Sequence, residues 1–174
     1  MRARLHIIVV LGLLGATIVA WGEEFHDAVS RGDLAAVKKY LQEDPSRLSR
    51  QTTRENTYIT PLSLAIRSRQ DAVAHFLINK RTNINEGGHS GVSPLFDALF
   101  SGQLEMAKAL IDAGADVDHR SGQRSLLHYA ASSSNKQVAE FLLERGADVS
   151  LQDRHGATPL HRVPREIRRP ACCC

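Results

Sequence analysis

The chain has 174 residues, of which 22 are basic and 19 acidic, for a formal charge of +3. Arg2 and Arg4 fall at the very start, which leaves 20 basic against 19 acidic residues from Glu23 onward. So balanced a chain lacks the basic footprint of a nucleic-acid binder, and its length suits one cooperative unit. Aromatic residues make up 5%, so a core must come from Leu, Ala, Val and Ile. All three cysteines are the last three residues, which makes the rest of the chain compatible with an oxidising compartment.

The chain opens on Met1-Arg2-Ala3-Arg4, a basic start, followed by an apolar run from Leu5 to Ala20. Ala20-Trp21-Gly22 then offers small residues at the −3 and −1 positions of a cut before Glu23. Basic flank, apolar run and small-residue exit are the parts of a secretory signal peptide. The run has 16 residues, fewer than the ~20 of a spanning helix. Residues 1–22 are expected to be a cleaved signal that exports the chain to a periplasm, the exterior or a secretory lumen. The alternative is an uncleaved helix that attaches it to a membrane through residues 5–21.

Leu34, Val37, Tyr40 and Leu41 give an apolar stripe at helical spacing, which Asp44-Pro45 stops. The link that follows, within Ser46–Tyr58, is polar and predicts an elongated surface loop, either a tolerated insertion or a contact loop. Further on, Ser93 to Gly102 and Leu104 to Val117 read as two short helices back to back. Ser93 can cap the first by accepting a backbone N–H bond, and Pro94 suits the first helical position. Gly102 and Gly114 follow the helical runs and can take the left-handed conformation that closes them. Helices this short cannot bury their own apolar face, so the unit needs copies of itself. Thr60-Pro61-Leu62, Ser93-Pro94-Leu95, Ser125-Leu126-Leu127 and Thr158-Pro159-Leu160 start 33, 32 and 33 residues apart. Leu77, Leu110 and Leu142 keep the same register, as do Ile78, Ile111 and Leu143.

The fifth copy fails after its opening, because Pro164 falls where Ala131 sits in the copy before it. Residues 164–174 match nothing in the pattern. They end either a half-repeat whose Arg162, Arg165, Arg168 and Arg169 make a polar cap, or a truncated or frame-shifted continuation. The terminal cysteines miss the prenylation position, which Ala171 occupies, and no function is read there.

Motifs of known chemistry are lacking: there is no nucleophile elbow, phosphate loop, His-Glu-x-x-His or dinucleotide fingerprint. No catalytic residue, cofactor, metal site or small-molecule substrate is therefore expected.

A period near 33 residues with a Thr-Pro-Leu-His opening, present as Thr158-Pro159-Leu160-His161 and nearly so as Ser125-Leu126-Leu127-His128, resembles the ankyrin repeat family. The resemblance runs from about Glu24 to His161. It implies an all-α solenoid of stacked helix-turn-helix units with finger loops, preceded here by the apolar signal helix. The repeat domain would span residues 23–163, with repeats near 24–45, 60–91, 93–122 and 125–156 and a partial copy at 158–163. Phe25 stands where Leu62 stands in the next copy, and Ser134 replaces a turn glycine. His128 and His161 would hydrogen-bond between neighbouring repeats.

The resemblance also implies a concave face of finger loops and inner helices that binds another protein without catalysis. On the fingers it selects His89, Ser90, Ser121, Arg124, Arg154 and His155. At the exposed ends of the inner helices it selects Arg67 and Ser68, Phe100 and Ser101, and Ser132 and Ser133. Lys80 and Arg145, before the residues closing their outer helices, complete the set. Phe100 reads either as an aromatic binding anchor or as packing against Phe96. The four arginines Arg67, Arg124, Arg145 and Arg154 would favour an acidic partner. A membrane-anchored scaffold and a regulatory arm of a larger enzyme are the alternative functions.

Overall fold

In this computed structural model the described residues are 24–49, 52–54, 57–80, 82–88 and 91–164. The expected signal segment, His89, Ser90 and the tail from residue 165 lie outside them. No helix among the described residues is long and apolar enough to cross a membrane.

Helices come in pairs. α1 (residues 24–31) precedes α2 (Leu34–Glu43), then α3 (Pro61–Arg67) with α4 (Asp71–Asn79), α5 (Pro94–Phe100) with α6 (Leu104–Asp112), and α7 (Leu126–Ser132) with α8 (Lys136–Glu144). A single turn, α9 (Pro159–Arg162), follows. The inner helices start as their residues dictate: the Thr60 and Ser93 hydroxyls accept from the amides of Ser63 and Phe96 at 3.2 and 3.3 Å, each ahead of a proline. Ser125 is followed by leucine, and here the Ser125 amide donates to Nδ1 of His128 at 3.3 Å. That bond leaves Nε2 of His128 as the donor to the Ala157 carbonyl, 2.9 Å away in the next copy. The expected inter-repeat role of His128 is observed; among the described residues His161 bonds only locally, its Nδ1 lying 3.3 Å from the Thr158 amide and 2.8 Å from the Thr158 hydroxyl.

The turn between the helices of each pair needs one left-handed residue. Gly32 and Gly102 supply it at φ 76°, and Ser134 at φ 53°. In the second pair the position is Arg69, at φ 55°, which nothing in its side chain announces. Its guanidinium donates to the Ser101 carbonyl of the next pair at 2.9 Å. Two glutamines at equivalent positions do similar work: Gln70 Nε2 donates to the Ser30 carbonyl at 3.2 Å and Gln103 Nε2 to that of Ile66 at 2.9 Å. On the opposite side Asn85 and Asp118, 33 residues apart, accept the amides of Asp116 and Asp148 at 2.8 and 2.9 Å. These bonds link neighbours in register through otherwise solvated turns.

The inner helix α3 packs on α5 and α7 on α9, while α2, α4 and α6 form an outer layer. One core runs through both, with Leu62, Leu95, Leu126, Leu77, Leu110 and Leu142 all fully buried. Fingers between copies carry little regular structure, but β3 (Arg120–Ser121) and β4 (Arg124–Ser125) pair antiparallel around Gly122 at φ 64°.

The link after α2, expected as an elongated surface loop, holds regular structure. Pro45–Leu48 forms a 3-10 turn, and β1 (Thr52–Arg54) pairs with β2 (Thr57–Ile59). The Asp44 carboxylate caps the turn by accepting from the Ser46 amide at 3.0 Å. Arg47 is buried beneath it, 3.7 Å from Asp44 and stacked on the Tyr40 ring at 5.0 Å. At the other end, the half-repeat covers repeat four only in part. Leu143, Val149 and Leu160 stay 47%, 59% and 74% exposed and line an apolar hollow of about 500 Å³.

Candidate functional site: the finger and inner-helix face

Phe96 and Phe100 stand one turn apart on α5, so their rings meet. The centroids are 4.3 Å apart and the planes 23° from parallel. Tyr129 of α7 meets both edge-on, at 5.1 and 6.3 Å. Phe100 therefore packs against Phe96, yet all three rings remain half-buried and form an aromatic strip across two copies. The Tyr129 hydroxyl donates to the Ser121 carbonyl at 3.2 Å and ties the strip to the finger.

Asp97 of α5 faces the preceding copy, beside Arg67 and Ser63 of α3. Burial pushes its carboxyl up to about 6, against the opposing pull of the Arg67 guanidinium and the Ser63 hydroxyl. Sequence reasoning passed over Asp97 and Tyr129. The available signal was an acid and a phenol inside otherwise apolar inner helices.

Beyond Tyr129, a hollow of about 360 Å³ is lined by Ser121, Gly122, Gln123, Arg124, Tyr129 and Arg154. Arg124 is half-buried and Arg154 exposed, its Nε donating to Nε2 of His155 at 2.9 Å. No carboxylate among the described residues pairs with either guanidinium. The finger is braced from below by Asp153, which is buried and accepts from the amides of His155 and Ala157 at 2.8 and 3.1 Å and from the Arg162 guanidinium. Burial works to raise the Asp153 carboxyl, but these donors outweigh it and hold the group far below the usual carboxylate range. Arg162 thus acts as a brace for the finger.

The remaining expected residues divide. Arg67, Ser132 and Ser133 are exposed at the ends of their inner helices, and Ser68 is half-buried there. The Ser132 and Ser133 hydroxyls turn back onto the carbonyls of His128 and Tyr129, at 2.8 and 2.9 Å, so they are committed to their helix. Ser101 is likewise engaged, donating to the Asp97 carbonyl at 2.6 Å. Ser121 is a correction: it is buried, because the β3–β4 ladder turns its side chain inward, and only its carbonyl serves the site. Lys80 and Arg145 close their outer helices, with Lys80 over the Phe76 ring at 5.5 Å and Arg145 over Phe141 at 4.6 Å. Of the finger histidines, His119 Nε2 lies 3.4 Å from the Gly91 carbonyl, and His155 is paired with Arg154. No group of three or more His, Cys, Asp or Glu among the described residues is placed to hold a metal ion.

Comparison with known proteins agrees with this architecture. A family model described as ankyrin repeats (3 copies) matches residues 25–121, and another, ankyrin repeats (many copies), matches residues 110–163. The chain is 31% identical over 104 residues to the ankyrin repeat and KH domain-containing protein mask of Drosophila melanogaster, covering 58% of this chain and 3% of that one. It is 29% identical over 144 residues to the probable 26S proteasome regulatory subunit p28 of Saccharomyces cerevisiae, covering 79% of this chain and 62% of the yeast protein. A third relative is the transient receptor potential cation channel subfamily A member 1 homolog of Caenorhabditis elegans, 28% identical over 148 residues, or 83% of this chain and 12% of the other. In each case the chain spans less than two thirds of the relative's length. With one family model covering more than half of its residues, the chain belongs to the ankyrin repeat family.

Proposed function

We propose that this array holds a partner protein against its inner-helix and finger face and does so without turnover. The observation that carries the reading is the half-buried aromatic strip of Phe96, Phe100 and Tyr129, which opens onto a hollow flanked by Arg124 and Arg154. Binding energy concentrates where aromatic and arginine side chains can be desolvated together. Two guanidiniums with no carboxylate partner among the described residues favour an acidic surface on the partner. Ankyrin repeats generally mediate contacts between proteins, which supports the same reading.

The chain is proposed to act after export, on the strength of the basic, apolar and small-residue segments of residues 1–22. Photo-crosslinking tests both parts. A benzoylphenylalanine substituted for Phe100 should capture one discrete protein from the exported fraction. The same group substituted for the exposed Lys136 on the outer layer should not. Equal capture from both positions would sink the face, and a mature mass that retains Met1 would sink the cleaved signal.

A further inference from the structure

The one place where the chain breaks its own period also builds a cleft. From Phe25 to Leu62 the spacing is 37 residues, about four more than between later copies. The 3-10 turn that opens this long link sets Pro45 and Leu48 against the outer layer, where buried Leu41 and half-buried Phe76 complete an apolar hollow of about 320 Å³. Arg47 pins the turn from within through Asp44 and the Tyr40 ring, so the wall is held by packing rather than by chance loop geometry. At the rim, Lys38 from α2 and Lys80 after α4 converge on the same Phe76 ring, each ammonium 5.5 Å from its centroid. Two like charges gathered at one ring repel each other. Among the described residues neither has a carboxylate partner and no acidic residue lines the cleft.

The third copy lacks this arrangement, with Ala109 and Ala113 at the positions of Phe76 and Lys80. The fourth repeats the aromatic–cation pair as Phe141 and Arg145, 4.6 Å apart, but among the described residues no 3-10 turn stands opposite it. The cleft is thus a property of this junction and of the outer layer, away from the aromatic strip on the inner helices.

We infer that the cleft between α2, the 3-10 turn and α4 is a second protein-docking site, which takes one apolar side chain flanked by acidic residues in an extended partner segment. The hollow has the volume of a small ligand pocket and accommodates one large side chain. A carboxylate on either side of that anchor meets Lys38 and Lys80 and relieves their mutual repulsion. The apolar floor excludes a purely electrostatic partner, and the paired lysines exclude a basic one.

The probe is the peptide acetyl-Glu-Glu-Phe-Glu-Glu-amide, titrated into the isotopically labelled full chain and followed by amide resonances. Saturable shifts confined to α2, the 3-10 turn and α4 are expected. Replacing the probe's phenylalanine by alanine, or its glutamates by lysines, should weaken binding about tenfold or more. The K38E/K80E double variant should weaken it by a similar factor while unfolding at an unchanged temperature, since both side chains are exposed. Undiminished binding to K38E/K80E, equal binding of the alanine probe, or shifts centred on Phe100 and Tyr129 would each overturn the assignment. So would 3-phenylpropionate binding as tightly as the peptide, because the site would then be one for a small carboxylate. Apart from shifts at Phe100 and Tyr129, which would place the peptide on the inner-helix face, these outcomes do not bear on the crosslinking at position 100.

Discussion

One position of the repeat, followed from end to end, shows what holds the array together. Phe25, Leu62, Leu95 and Leu127 occupy it in successive copies and are 1%, 1%, 1% and 5% exposed. Leu160 occupies it in the last copy and is 74% exposed. Chemistry and local geometry are nearly the same: Thr158 and Pro159 open α9 as Ser93 and Pro94 open α5. The difference is the neighbour. In a stack, each copy is stabilised by what lies on both sides of it, and a side chain with one side open contributes little.

The largest effect should therefore come from the middle. Leu95→Ala removes a fully buried side chain from between two copies and is expected to cost about 3–4 kcal/mol, read by chemical denaturation. His128→Ala comes next, at about 2–3 kcal/mol, because it empties a buried site and strands the Ser125 amide and Ala157 carbonyl. Its counterpart His161→Ala, which loses only a local exposed bond, should cost under about 1 kcal/mol. If the two histidine variants cost the same, the inter-repeat bond is not what His128 contributes.

What could be read beforehand follows the same division between repeated and singular features. Spacing and helix starts were legible because several copies state them in phase, so an error in one is corrected by the others; the His128 bond was implied by the family resemblance alone. Arg69 was not. It fills a turn that glycine fills elsewhere, and an arginine carries no local preference for positive φ. The link after α2 was read as loop because its polar residues hid a capped turn and a short ladder, which depend on Asp44 and on pairing across the hairpin. On the candidate face, positions inherited from the repeat pattern located the exposed helix ends. They could not show that Ser121 faces inward, since one residue of strand register decides it.

Partial burial gives the next test. The Asp97 carboxyl is raised from its ordinary value to about 6, so the native state binds this proton more tightly than the unfolded chain does. Between pH 4 and 6 the folded form holds more protons, and stability falls as pH rises through that window. Asp97→Asn should remove this slope and make the protein more stable at pH 7, by about 1 kcal/mol once solvent screening is allowed for. Thermal unfolding of both proteins at pH 4.5 and pH 7 checks the sign; an unchanged difference between the two pH values would mean that Asp97 is better solvated than its position implies. A smaller gain, about 0.5–1 kcal/mol, is expected from Ser134→Gly, which relieves a left-handed backbone at φ 53° on an exposed turn.

Leu160→Ala closes the series with the smallest effect, because it repeats the Leu95 change at a site that keeps most of its surface in water. A side chain already 74% exposed has little burial to lose, and the cost should stay within about 0.5 kcal/mol. The comparison is useful because Leu95 and Leu160 share residue type and repeat position and each follows a hydroxyl residue and a proline, although α9 has four residues against seven in α5. A cost above about 1 kcal/mol would show that something covers Leu160 in solution and that the hollow it shares with Leu143 and Val149 is filled. Measuring the variant at two protein concentrations then distinguishes a second copy from the chain itself, because only an intermolecular cover makes the cost depend on concentration.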